Sequence, residues 1–163
     1  MLKKKSWWVA LAVLVVLLAA GAAVLLTRRA PSPQAAVFTS TVLPLEEDCY
    51  DVASRTLSRS DPKGVTGSCR GFTGGWTLWR GHREAPGEMT ITCTVTVLRG
   101  AIRLVLVDED GDVTVLLERT DSAEGQGSTF TCTAALPAGD CAIKLLGREE
   151  TDVDFDLRFD IAE

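Results

Sequence analysis

Polar and apolar positions alternate along much of the second half of the chain. In residues 90–97 threonines alternate with Ile91, Cys93, Val95 and Val97. A period of two places the apolar side chains on one face of a β-strand. Further segments with the length and composition of strands occupy residues 76–79, 101–107, 113–117, 128–136, 141–146 and 152–161.

Short turn signals separate these segments. Arg99-Gly100 and Asp110-Gly111 each stand between two apolar runs, where glycine suits the positive φ of a tight turn. Seven to eight short strands with such spacing predict an all-β fold, an antiparallel, jelly-roll-like β-sandwich over residues 38–163. Residues 45–59 are the one part of this region where a helix is an alternative.

The N-terminal part of the chain has a different pattern. Residues 7–26 contain 20 consecutive uncharged positions, rich in Leu, Val and Ala. A helix of this length covers about 30 Å, the thickness of the hydrocarbon core of a bilayer. We therefore predict a cytoplasmic tail at 1–6, a single transmembrane helix at 7–27 in contact with lipid, and an extended, proline-containing spacer at 28–37.

A cleaved signal peptide is the alternative, since Ala20-Gly21-Ala22 resembles a cleavage site. The apolar stretch continues to Leu26, however, and exceeds the usual length of such a signal, which favours a retained signal-anchor. Basic residues on both flanks give a small bias toward a cytoplasmic N-terminus. The prediction is a single-pass protein of the cell membrane with its C-terminal domain outside the cytoplasm.

Charge narrows the classes of partner. The chain has 17 basic and 22 acidic residues. Five of the basic residues and none of the acidic ones precede Val37, so the formal net charge of residues 38–163 is 12 − 22 = −10. Nucleic acid is excluded as a partner because phosphate contacts need clustered Lys and Arg. The single histidine, His82, leaves little basis for acid–base catalysis, and we predict no cofactor.

A pattern of turns in the last third of the domain is similar to that of a known group of modules. Residues 136–145 have the sequence Leu-Pro-Ala-Gly-Asp-Cys-Ala-Ile-Lys-Leu, and an alternating acidic strand follows them. This resembles small β-sandwich modules of bacterial secreted proteins, such as pre-peptidase C-terminal domains, although Cys141 stands where those modules place tyrosine. The resemblance implies a non-catalytic accessory module that in some members binds carbohydrate or calcium.

The candidate ligand-binding residues are Trp76, Trp79, Arg80, His82 and Arg83. Two tryptophans three positions apart point to opposite faces of a regular strand, so that one can join the core while the other is exposed. An exposed indole beside basic side chains could stack on a sugar ring of a cell-wall glycan. We therefore expect a membrane-anchored binding or structural module for a glycan or a protein partner. Packing at the end of the sandwich is the alternative role for this group.

Two acidic patterns suggest weaker hypotheses. Asp108, Asp110 and Asp112 have the alternate spacing of a calcium loop. An EF-hand would need glycine and glutamate where the chain has Val113 and Arg119, so a solvated hairpin turn is the alternative. A second acidic row would form a solvated edge on the last strand or a second contact surface: Asp152, Asp154, Asp156 and Asp160.

The five cysteines all lie in the predicted extracytoplasmic part, which fits an oxidising compartment. Because their number is odd, at least one of them stays unpaired. Cys49 and Cys69, which precede the first regular strand, are the candidates for a disulfide. Cys93, Cys132 and Cys141 occupy inward positions of predicted strands, where a free thiol acts as a small apolar group.

A catalytic alternative concerns Cys93. The segment Thr90-Ile91-Thr92-Cys93 is similar to the strand that carries the nucleophile of sortases, where a histidine and an arginine assist the cysteine. His82 lies only 11 positions before Cys93, far closer than in that family, and Cys93 is in the apolar register. The prediction is that the chain is not an enzyme.

Overall fold

The computed structural model of the protein describes residues 33–61, 63–121 and 127–161, apart from the side chains of Ala35, Ser60 and Asp61. Their elements are the helix α1 (Pro33–Val37) and the strands β1 (Cys49–Asp51), β2 (Ser54–Asp61), β3 (Gly64–Arg83), β4 (Gly87–Val107), β5 (Val113–Thr120), β6 (Ser128–Leu136) and β7 (Gly139–Ile161). The predicted tail at 1–6 and membrane helix at 7–27 lie outside the described residues. Within the described part, no helix has the length and apolar character needed to cross a membrane.

Three long strands, β3, β4 and β7, each bend near their middle and contribute to two layers. One layer has the order β2, β3, β7, β4, β6, and the other has the order β1, β3, β7, β4, β5. Every pairing is antiparallel, and the inner faces of the two layers form one hydrophobic cluster. The predicted all-β antiparallel sandwich is therefore confirmed, with seven strands among the described residues.

One of the bends lies at a predicted turn, Arg99-Gly100. β4 bends at Gly100, whose φ is 82°, and a β-carbon there would lie 2.7 Å from Oγ1 of Thr151. β7 bends beside it at Glu149 and Glu150, whose φ angles are 61° and 53°. The hydroxyl of Thr151 donates to the carbonyl of Ala101 at 2.9 Å and joins the two bends. The prediction of separate strands joined by a turn at Arg99-Gly100 is therefore wrong, because one strand passes from layer to layer.

The outer face of the second layer is covered by residues 33–48, which we call the strap. Phe38 and Leu43 of the strap are buried against Val105, Val107 and Leu146. The main chain of Leu43 also donates to the carbonyl of Gly111 at 2.9 Å. Residues 33–37 form a short helix at the edge of this cluster, where the sequence predicted part of an extended spacer. The rest of that spacer, 28–32, lies outside the described residues.

Two other expectations differ from the structure. The segment 45–59, in which a helix was the alternative, contains β1 and most of β2, because both strands hydrogen-bond to β3. The acidic last strand is not an edge, since β7 lies between β3 and β4 in both layers. Its carboxylates face outward, and Asp154 pairs with Arg70 at 2.7 Å.

Candidate functional site

A cleft opens where the sandwich lacks a full edge strand. β1 covers β3 only at residues 73–75, while β2 pairs with the other half of β3 in the first layer. A cleft of about 510 Å³ lies between β2 and residues 77–80 of β3. Its lining residues are Asp48, Arg59, Gly64, Val65, Thr77, Leu78, Trp79, Arg80 and Phe159.

Aromatic rings form the apolar part of the cleft. The rings of Trp79 and Phe159 lie 6.1 Å apart between centroids, tilted by 39°. Trp79 is half-buried, whereas Trp76 is 7% exposed and packs edge-on against Phe155 in the core. Trp79 can lie so close to the backbone because residue 81 is glycine, where a β-carbon would overlap the indole.

A bulge brings both tryptophans to the inner face. Trp76 pairs with Leu145 and Trp79 pairs with Ile143, and the register shifts between Thr77 and Trp79. Leu145 and Ile143 both point into the core, so the indoles opposite them point the same way. The prediction that the two tryptophans point to opposite faces is therefore wrong.

Polar groups surround the rings on the strap side. Oδ1 of Asp48 accepts hydrogen bonds from the main-chain N–H of Thr77 at 2.9 Å and from its hydroxyl at 2.6 Å. Arg80 donates to the main-chain carbonyl of Glu46 at 2.6 Å and pairs with its carboxylate. These bonds fix the orientation of Asp48 and Arg80 at the rim of the cleft.

The opposite wall is formed by β2. Arg59 donates from Nη2 to the carbonyl of Leu78 at 3.3 Å, which holds its guanidinium across the opening. Among the described side chains, no carboxylate lies within ion-pair distance of Arg59. The cleft thus presents two guanidinium groups, one carboxylate, one hydroxyl and an aromatic surface.

A buried amine lies beneath the strap, on the side of the cleft that Asp48 forms. Lys144 is only 2% exposed, and its Nζ donates to the carbonyl of Glu47 at 2.7 Å and lies 3.5 Å from Oδ1 of Asp48. Burial lowers the pKa of Lys144, and the carboxylate of Asp48 opposes that shift. The strap, the amine and the cleft therefore meet at Asp48.

The structure brings Trp79 and Arg80 of the predicted set together and leaves the other three out of the cleft. Trp76 is in the core, His82 bonds through Nδ1 to the Asp140 carboxylate at 2.7 Å, and Arg83 donates to the carbonyl of Ala85 at 3.2 Å. Sequence reasoning missed the other seven lining residues, of which four are polar or aromatic and come from the strap and from three strands: Asp48, Arg59, Thr77 and Phe159.

The acidic loop forms a turn. Oδ1 of Asp108 accepts the main-chain N–H groups of Asp110 at 3.1 Å and of Asp112 at 2.8 Å. No group of three or more His, Cys, Asp or Glu side chains suited to a metal ion occurs within residues 33–61, 63–121 and 127–161. Asp108, Asp110 and Asp112 are therefore not gathered into the calcium site that their spacing suggested.

The cysteines are all free in the structure. Cys49 is exposed on β1 opposite Gly75, while Cys69 is buried in the core opposite Arg55. The candidate disulfide between Cys49 and Cys69 is not present in the structure, where one thiol is exposed and the other is buried.

The thiol of Cys93 has the wrong surroundings for a nucleophile. Cys93 is 2% exposed, and burial raises its pKa to about 12. A thiol enzyme needs the opposite, a lowered pKa in an electropositive and accessible place. The structure therefore gives no support to the sortase-like alternative.

Comparison with known proteins yields likeness of fold only. No protein-family model matches the chain, and no characterised protein matches its sequence. A carbohydrate-binding module of Cellvibrio mixtus lichenase 5A, in complex with cellotriose, is similar with a TM-score of 0.41 at 14% identity, over 80% of this chain and 95% of that one. An adhesin domain of Lys-gingipain from Porphyromonas gingivalis has a TM-score of 0.42 at 11% identity, over 72% of this chain and 99% of that one. At these values the likenesses assign no function to the chain.

Proposed function

We propose that this chain is a non-catalytic, membrane-anchored binding protein whose edge cleft takes a saccharide. The observation that carries the proposal is the half-buried indole of Trp79 in a cleft with polar walls. A pyranose ring has an apolar face of C–H groups, which an aromatic ring can contact, and a rim of hydroxyl groups.

The polar groups of the cleft match such a rim. Asp48 offers carboxylate oxygens as acceptors, Arg59 offers N–H donors, and the hydroxyl of Thr77 can do both. The volume of about 510 Å³ falls in the usual range for small-ligand sites, about 300–1,000 Å³. One or two sugar rings fit this combination of shape and chemistry better than a wholly apolar ligand does.

Calorimetric titration of the purified full chain with a panel of neutral and acidic cell-wall oligosaccharides tests this proposal. Trp79→Ala should weaken binding at least tenfold, since stacking on one aromatic ring contributes about 1–3 kcal/mol in other ring–ring contacts. Leu98→Ala is the matched control, because Leu98 is 48% exposed on β4 and does not line the cleft. Absence of binding to every glycan, or equal binding by Trp79→Ala, would refute the proposal.

The membrane anchor needs a separate experiment. In fractionated cells the full chain should stay in the membrane pellet after an alkaline carbonate wash, as an integral protein does. Deletion of residues 1–27 should release the product into the soluble fraction. Recovery of the intact full chain in the soluble fraction would contradict the anchor without touching the proposal about the cleft.

A further inference from the structure

Arg59 follows the last regularly paired residue of β2, Ser58, and lines the cleft. Arg55 and Leu57 pair with Cys69 and Gly67, and Cys69 is in the core, so positions 55 and 57 face the space between the layers. Arg59 lies within the register shift after Ser58, and its bond to the carbonyl of Leu78 places its guanidinium at the cleft. At the start of β2 this space is filled, because the Arg55 guanidinium lies 5.1 Å from the centre of the Trp76 ring. At Arg59 the space is open, and the guanidinium stands at the cleft.

Arg59 bonds to a main-chain carbonyl, whereas several other arginines form ion pairs with carboxylates. Arg70, Arg80, Arg99 and Arg103 each pair with a carboxylate at 2.8 Å or less. Arg59 has only the carbonyl of Leu78 among its described partners, which engages one of its five N–H donors. The remaining donors are available to a ligand in the cleft.

The other charges at the cleft do not supply a partner for Arg59. The Asp48 carboxylate already accepts two hydrogen bonds from Thr77 and faces the buried amine of Lys144. Arg80 is held by Glu46 on the strap side. Since residues 38–163 carry a net charge of −10, an anionic ligand is repelled by the domain as a whole and needs a local cation to bind.

We propose that the saccharide bound in this cleft is acidic, with a carboxylate on its ring paired to Arg59 while the ring lies on Trp79. This inference rests on the proposed function of the cleft. A guanidinium presents parallel N–H groups that match the two oxygens of a carboxylate. Because Trp79 and Arg59 line the same small cleft, the acid must be attached directly to the sugar ring, as in a uronic acid.

The test compares sugars that differ only at C6. Tetrasaccharides of β-1,4-linked glucuronic acid and glucose form one pair, and tetrasaccharides of α-1,4-linked galacturonic acid and galactose form a second pair. Titrated into the full chain at low salt, the acidic member of at least one pair should bind about tenfold tighter, as expected for a charge-assisted hydrogen bond. Arg59→Gln should abolish this preference, and Arg59→Lys should retain only part of it.

Two controls separate the local effect from net charge and from simple attraction of anions. Arg158→Gln makes the same change in charge on the outer face of β7, where Arg158 is exposed, and should keep the preference. Poly-L-glutamate should not compete with the uronate, because it lacks the ring that contacts Trp79.

The outcomes are distinguishable. Equal affinity for the acidic and neutral members of both pairs, with binding still lost in Trp79→Ala, would overturn this inference and leave the saccharide proposal standing. Absence of binding to these four sugars and to every glycan of the wider panel would overturn both. Equal competition by poly-L-glutamate would show that Arg59 attracts any carboxylate and would refute an acidic sugar as the ligand.

Discussion

Asp48 and Lys144 connect the strap to the cleft through one carboxylate. Oδ1 of Asp48 lies 3.5 Å from Nζ of Lys144 and also accepts both hydrogen bonds of Thr77. Lys144 is almost completely buried, so its charge is compensated by Asp48 and by the carbonyl of Glu47. Anything that moves the strap therefore also moves a polar wall of the cleft.

We predict that Asp48→Asn destabilises the domain and weakens ligand binding together. Removing the carboxylate leaves the buried ammonium group of Lys144 with the main-chain carbonyl of Glu47 and without an opposite charge, at a cost of about 1–3 kcal/mol. Chemical denaturation and calorimetric titration measure the two effects. Glu47→Gln is the matched control, because Glu47 bonds Lys144 through its main chain; equal losses in both variants would contradict the role of Asp48.

Most of the strand positions could be predicted from the sequence, but their continuity could not. Residues 90–97 and 101–107 are both strand, as their patterns indicate, yet they belong to one strand that bends at Gly100. A glycine with positive φ serves a hairpin turn and a strand bend equally well. The choice depends on β7, which pairs with both halves of β4 across the bend.

The cleft could be predicted only in part, for a similar reason. Trp79 and Arg80 could be predicted, because an indole beside basic side chains is typical of a sugar-binding surface. A regular alternation sends Trp79 outward, and only the bulge after Thr77 turns it inward. Asp48 reaches the cleft from the strap, and Phe159 comes from β7, 80 residues after Trp79 in the sequence. No local pattern records contacts between residues so far apart.

We predict that Gly81→Ala reduces saccharide binding by displacing the Trp79 ring. A β-carbon at position 81 would overlap the far edge of the indole, so the ring must move from its place beside Phe159. The expected result is a several-fold loss of affinity in calorimetric titration with a shift of the tryptophan emission.

The control for this prediction is Gly87→Ala. A β-carbon there meets only the flexible end of the Arg83 side chain, outside the cleft. Binding by Gly81→Ala at the affinity of the unmodified chain would show that the position of the indole does not matter for the ligand.

We predict that Gly100→Ala lowers the free energy of unfolding by about 2–4 kcal/mol. The φ of 82° is costly for alanine, and its β-carbon would lie 2.8 Å from the carbonyl oxygen of Arg148 as well as close to Thr151. Urea denaturation measures the loss, with Leu98→Ala as an exposed control on the same strand. A loss below about 0.5 kcal/mol would mean that the bend tolerates a side chain and does not hold the layers together.

The last prediction concerns stability at alkaline pH. Burial raises the pKa of Cys93 from 9.0 to about 12, so the folded state holds its proton more tightly than the unfolded chain does. The resulting stabilisation is fully present below pH 9 and is lost as the pH rises toward 12.

Between about pH 8 and pH 10.5, the reduced full chain should therefore lose roughly 2 kcal/mol more stability than Cys93→Ala does, at about 1.4 kcal/mol for each pH unit above the unfolded pKa. Denaturation curves at several pH values measure the difference. Cys49→Ala, which removes an exposed thiol, should follow the unmodified chain. Identical pH profiles for the unmodified chain and Cys93→Ala would mean that the thiol ionises without unfolding the core, and Cys93 would then have to be considered again as a reactive group.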